Sequence, residues 1–209
     1  MLKTQFKDQL EFDSYITEQK LRMEKGYLTR SEREQLNKML VNDYKPTFEI
    51  IKKIPILVTN LLELNKPCQD VTKEDNIDEI VEKLKNTLLQ LNGYGLSANQ
   101  IGINKKISYI KHPKKFNMQF KKWEYEEIIL INPKIIECDK LIQVKGEQCL
   151  SLPGLAVNTA RYIFITVINH DKNLNEKLFS SQDLEGLIIQ HESDHTIGKT
   201  ILDRRWRSR

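Results

Sequence analysis

The chain has 209 residues, 39% hydrophobic and 30% charged, with a formal net charge of +4; this is ordinary globular composition, long enough for one sizeable core and an appendage, and it excludes a fibrous or low-complexity protein. No apolar run approaches the roughly 18 residues of a membrane span, and the start mixes Lys3 and Lys7 with Asp8, Glu11 and Asp13, unlike a secretory or transit peptide. Cys68, Cys138 and Cys149 lack disulfide-scaffold spacing and fit a reducing cytosol, while the mild positive charge permits contact with a polyanion without demanding it.

In chain order, Phe6, Leu10, Tyr15 and Ile16 predict an amphipathic helix stopping near Gly26. Ser31 and Glu34 form a capping-box pattern ahead of Leu36, Met39 and Leu40, which predicts a second short helix. Residues 1–50 therefore read as a helical extension to a domain spanning 51–209. Pro46 and Pro55 interrupt helix and lead into an extended segment. Ile77, Val81, Leu84, Leu88 and Leu91 predict a helix ended by Asn92-Gly93. Residues 106–111, 128–132, 141–145 and 162–169, rich in Ile and Val and bounded by turn residues, read as strands. Residues 111–122 carry Lys114, Lys115, Lys121 and Lys122 around Phe116 and Phe120, with Trp123 next in the chain; a solvated hairpin is the simpler reading, and RNA contact through charge and stacking the other. One further helix carries Leu184, Leu187, Ile188, His191 and His195 at helical spacing. Helix, several strands, then helix predicts an α+β fold, mostly antiparallel sheets packed around a buried helix.

That last helix contains His191-Glu192-Ser193-Asp194-His195. Positions i and i+4 of a helix differ by roughly 40° in azimuth and stand about 6 Å apart between Cβ atoms, so both imidazoles can reach one ion. A buried imidazole on the inward stripe needs a partner, and a metal supplies one; a packed or surface His pair without an ion is the alternative. The residues after His195 contain no His, Cys or Glu, and Asp203 is the sole conventional ligand type among them. Zinc proteases with a downstream third ligand would place His where this chain has Ile201, three positions after Gly198. Upstream candidates are His112, His170, the three cysteines and several carboxylates. Cys149 stands out because it comes after the 141–145 strand in a bounded turn running from Gly146 to Gly154. A thiolate with two imidazoles leaves a fourth position open to water, whereas a small buried thiol without an ion is the plainer alternative.

Three separated motifs resemble those of peptide deformylases. Gly93-Tyr94-Gly95-Leu96-Ser97-Ala98-Asn99-Gln100 is similar to the family's glycine-rich first motif, and Glu147-Gln148-Cys149-Leu150-Ser151 to its second. Gln190-His191-Glu192-Ser193-Asp194-His195, with Gly198 and Asp203-Arg204, is similar to its third. The resemblance runs from Lys52 to Arg204 and leaves the N-terminal extension outside it.

The resemblance implies a metal-dependent hydrolase that removes the N-formyl group from the N-terminal methionine of nascent polypeptides and releases formate. It implies one divalent ion held by Cys149, His191 and His195, with Fe(II) in the cell and Zn(II) or Ni(II) as replacements on purification. Glu192, beside a ligand, is placed to move protons, and the resemblance gives the Gln100 side-chain amide and the Leu150 backbone N–H the task of stabilising the developing oxyanion. Gly93 and Gly95 read plainly as a helix C-cap and a turn; their functional reading, with Tyr94, is a backbone on which an extended peptide pairs as an added strand. Leu187 and Ile188 are core by default and candidates for the wall of a methionine pocket. Gln148 stands where the family usually has glycine and adds a side chain beside the peptide groove. Glu147 and Arg161 are an expected brace. The resemblance also implies that the chain stops short of the C-terminal helix with which many bacterial members dock on the ribosome, as in short phage-encoded forms. The expected partners are formyl-methionyl nascent peptides and, through the N-terminal helices or basic segments, the ribosome; no membrane and no direct DNA binding are expected. The expected location is the cytoplasm, bacterial or of a phage-infected host. A zinc endopeptidase, which shares the helix motif, and an inactive homologue that only binds nascent chains are the competing readings.

Overall fold

The computed structural model describes residues 60–91, 93–118 and 122–207. The predicted N-terminal helices, the 1–50 boundary, Pro46 and Pro55 lie outside the described residues. Among those that are described, no helix is long and apolar enough to cross a membrane.

Helix α1 is one turn, Leu61–Leu64, capped by the Asn60 side chain, which accepts from the Leu62 N–H at 2.9 Å. Helix α2, Ile77–Leu91, buries Ile77, Val81, Leu84 and Leu88 along one face, as its periodicity predicts. Its first turn carries Asp78 and Glu79, which favour the positive end of the helix dipole, and Asn76 Oδ1 accepts from the Glu79 N–H at 3.2 Å.

Among the described residues, six strands form two antiparallel sheets. The first has the order β1 (Gly95–Ser97), β2 (Ile107–Asn117), β3 (Lys122–Ile131), with Leu96 opposite Tyr109 and Ile107 opposite Ile131. The second has the order β4 (Lys134–Gln148), β5 (Ala156–His170), β6 (Glu176–Gln182), with Ile142 opposite Arg161 and Val167 opposite Phe179. A 3-10 turn, Ala98–Ile101, comes directly after β1 and ends at Gly102 in the left-handed conformation.

Helix α3, Asp183–Thr196, packs on strands of both sheets. Ile188 and Ile189 of α3 join Ile110 and Leu130 of the first sheet and Ile165 and Val167 of the second in one apolar cluster. Each such side chain contributes about 1.5–3 kcal/mol on burial. Two amides stitch the layers where strand edges would otherwise leave backbone groups unpaired. Gln190 of α3 accepts from Tyr162 N at 2.9 Å and donates to Tyr162 O at 2.8 Å. Asn169 of β5 does the same for β3, accepting from Ile131 N at 2.7 Å and donating to Ile129 O at 2.9 Å. The fold is the expected α+β arrangement, with α3 held in the middle. Leu184, predicted on the inward stripe, is instead 43% exposed because the first turn of α3 lies beyond the edge of that cluster.

Candidate active site

The site is assembled at the middle and C-terminal end of α3. His191 and His195 stand one turn apart with ring centroids 5.1 Å from each other. Cys149 lies just past the end of β4 and is buried, with Sγ 3.3 Å from His195 Nε2. One donor atom from each of Cys149, His191 and His195 lies within 4.8 Å of the other two. Sulfur and nitrogen sharing a tetrahedral zinc-like ion at ordinary bond lengths stand about 3.5 Å apart, so the donor set fits one such ion.

His191 is oriented from behind, whereas the buried Nδ1 of His195 has no partner. Glu147 Oε1 meets His191 Nδ1 at 2.7 Å, which leaves the Nε2 side of that ring for a ligand. Glu147 is itself gripped by Arg161, Nη2 to Oε1 at 2.7 Å and Nε to Oε2 at 3.0 Å, and by the Thr159 hydroxyl. The expected Glu147–Arg161 brace is thus present, and it extends further than the sequence suggested. Arg161 is 2% exposed and also pairs with Asp194, and Arg204 meets the same carboxylate from the other side, its Nε 2.9 Å from Oδ2. Burial works to raise the Glu147 carboxyl, but the hydrogen bonds from His191 and Arg161 outweigh it and hold the group well below the usual carboxylate range.

Glu192 is 3% exposed and its Oε2 has no partner. Burial pushes this carboxyl up to about 7, with the His191 charge opposing and Glu147 reinforcing. Space for it comes from Gly95: a Cβ there would fall 2.9 Å from Glu192 Cγ and 2.8 Å from Cδ. Gly93 is close-packed too, since a Cβ would meet Leu150 Cδ1 at 2.9 Å. Both glycines thus have a steric reason, the Leu150 side chain for Gly93 and the Glu192 side chain for Gly95.

Gln100, 1% exposed, is fixed by the Ser97 N–H donating to its Oε1 at 2.8 Å. Its Nε2 donates to Ser151 Oγ at 3.1 Å and lies 3.7 Å from Cys149 Sγ. Leu150 is half-buried in the turn after Cys149, Tyr94 is half-exposed, and Gln148 is exposed at the end of β4. Leu187 is half-buried, whereas Ile188 lies in the core cluster between the sheets. His170 is at the far end of β5, against Ile131 O, and Cys68 donates toward His195 O at 3.7 Å, so neither joins the donor set. Sequence reasoning passed over Asn99, whose Nδ2 donates to His195 O at 2.9 Å and ties the first motif to the end of α3. It also passed over Asp194, although its place between the two histidines, with Arg161 and Arg204 as basic residues in search of a partner, was the available signal.

A helix bearing His-Glu-x-x-His between antiparallel sheets, with a thiol completing the donor set, has the form of a mononuclear metal hydrolase. The family model for Polypeptide deformylase matches residues 53–209. A peptide deformylase of Thermosynechococcus vestitus is 34% identical over 143 residues, covering 68% of this chain and 72% of the relative; one of Karelsulcia muelleri is 31% identical over 151 residues, covering 72% and 77%. Among solved structures, the peptide deformylase of Thermotoga maritima superposes with a TM-score of 0.62 at 26% identity, over 74% of this chain and 99% of that one. The chain belongs to the polypeptide deformylase family, metal-dependent hydrolases that remove the N-formyl group from nascent polypeptides.

Proposed function

We propose that Cys149, His191 and His195 hold the single metal ion of the deformylase reaction and that Glu192 is its proton-transfer residue. The observation that carries this reading is a carboxylate 3% exposed, with one oxygen unpartnered, adjoining a Cys-His-His donor set. When bound, the ion supplies Lewis acidity toward water and the formyl carbonyl. Glu192 takes the proton of the attacking water and passes it to the departing amine nitrogen of methionine. As charge grows on the formyl oxygen, the Gln100 Nε2–H and the Leu150 backbone N–H donate to it; the Ser97 N–H bond holds the amide in place, so little reorganisation is needed. Glu147 fixes the ring orientation of His191. The formylated peptide lies along the backbone of Gly93, Tyr94 and Gly95 as an added strand, Leu187 lines the methionine pocket with Ile188 backing it from the core, and Gln148 projects beside the groove and biases which residue is accepted after methionine.

The test is hydrolysis of formyl-Met-Ala by the metal-loaded protein and by Glu192→Ala. Formate release reduced by about 10²–10⁴-fold in the variant supports the assignment. Cleavage of internal peptide bonds would favour an endopeptidase, and full metal occupancy without turnover a binding protein; either result overturns it.

The ion in the cell is Fe(II), with Zn(II) or Ni(II) as replacements, since a Cys and two His accept all three. A thiolate on Fe(II) with an open vertex is oxygen-sensitive, so protein purified anaerobically holds iron and loses activity in air, whereas a stable zinc enzyme of full activity would count against iron. The protein works in the cytoplasm on nascent chains. Contact with the ribosome runs through the β2–β3 hairpin or the N-terminal extension; Trp123 and Tyr125 are half-exposed there and Lys111 lies 5.5 Å from the Tyr125 ring centre. Cosedimentation with ribosomes that is lost in Lys114→Glu/Lys115→Glu, or in a truncation of residues 1–45, supports the contact; cosedimentation unchanged in both removes it.

A further inference from the structure

A second group of donors lies away from this centre, where the first sheet meets the start of α3. His112 on β2 is directly opposite Glu126 on β3, and Glu185 in the first turn of α3 closes the triangle. One donor atom from each lies within 4.8 Å of the other two. His112 is only 5% exposed.

His112 Nδ1 is 3.2 Å from the Pro113 carbonyl oxygen and Nε2 is 3.2 Å from Glu185 Oε2, so the ring is held with one nitrogen directed at the carboxylate. Two donors on one tetrahedral zinc-like ion stand about 3.4 Å apart, close to the spacing found here. The surroundings have the pattern of a supported ligand set: the far ring nitrogen lies against a backbone carbonyl, and the other Glu185 oxygen accepts from Ser181 Oγ at 2.6 Å.

We propose that His112, Glu126 and Glu185 form a second divalent-cation site. One imidazole and two carboxylates select a zinc-class ion; the nitrogen disfavours Ca(II) and Mg(II). Lys114 Nζ sits 2.5 Å from Glu126 Oε2, but its side chain is 63% exposed and swings into solvent when the ion takes its place. The ion links β2, β3 and α3. Gln182, the residue capping α3, makes no side-chain cap bond, so the start of the helix that carries His191 has little local restraint of its own. A cation there ties that turn to the first sheet.

Zn(II) is titrated into metal-stripped full-length protein and into His112→Phe and Glu126→Gln, with bound zinc counted after gel filtration. Wild type retains one equivalent more than either variant, or binds it at least tenfold more tightly. Zinc raises the melting temperature of the wild type further than that of the variants, while formyl-Met-Ala hydrolysis by all three stays comparable. Anomalous scattering from a zinc-soaked crystal shows a peak within bonding distance of His112 Nε2. Glu126 is half-exposed, so Glu126→Gln keeps the test open should His112→Phe fail to fold. Equal stoichiometry and equal affinity in wild type and in the folded variants overturn the proposal. Because the variants leave Cys149, His191 and His195 intact, failure here is distinct from failure of the deformylase centre.

Discussion

Gly95 is the clearest case in which one residue serves the site by what it lacks. Its Cα faces the Glu192 carboxylate so closely that a single methyl group displaces it. Gly95→Ala is therefore expected to fold with an unchanged melting temperature within a few degrees and to lose at least tenfold in kcat for formyl-Met-Ala; unaltered kcat would show that Glu192 tolerates the shift. The histidine pair, Cys149, Glu192 and Gln100 were legible because they sit in short contiguous motifs. Asn99 and Asp194 were not, because their importance comes from partners that no local pattern announces: His195 O for the first, Arg161 on β5 and the nearer Arg204 for the second. The steric constraint on Gly93 was not legible, because it comes from the Leu150 side chain far along the chain.

At the scale of elements, β5 and α3 are joined by charge as well as by apolar packing. Arg161, buried between Glu147 and Asp194, neutralises two carboxylates that would otherwise repel each other behind the histidines. Arg161→Ala strips both of their buried partner, and such a loss costs about 3–5 kcal/mol. The urea midpoint should fall accordingly, and a midpoint within experimental error of wild type would show that Arg204 on Asp194 and His191 with Thr159 on Glu147 suffice. The four strands with Ile and Val runs were legible in sequence, as was α2. The two that were missed are explained by composition and length: β1 has three residues, and β6, Glu-Lys-Leu-Phe-Ser-Ser-Gln, has no β-branched residue. Strand ends were also underestimated, since β4 continues through polar and charged residues that pair with β5 but bury little.

For the whole molecule, acid stability has an identifiable contributor. Asp75 accepts from Thr72 N at 2.8 Å and from Lys105 Nζ at 2.8 Å, tying the segment before α2 to the segment before β2. The Lys105 hydrogen bond is the main reason its carboxyl is held below the ordinary value. A carboxyl depressed in the folded state stabilises above its unfolded pKa of about 3.9 and loses that contribution as pH falls through the folded value. Asp75→Asn should thus be less stable than wild type at pH 7 and converge with it in strong acid, by chemical denaturation at each pH; a constant difference across pH would assign the effect to packing instead. The overall class was readable from the order of helix and strands, but how the sheets enclose α3 was not, because Asn169 and Gln190 act through backbone edges that no periodicity reveals.

The thiol and the two imidazoles belong to segments more than forty residues apart, brought together only when α3 inserts between the sheets. During vectorial synthesis, a copy halted before residue 183 would present Cys149 as an ordinary thiol with nothing to share its cargo. With the proposed ligands, loading would therefore wait on the completed fold, and capture of the cation would report that the polypeptide has acquired its final shape.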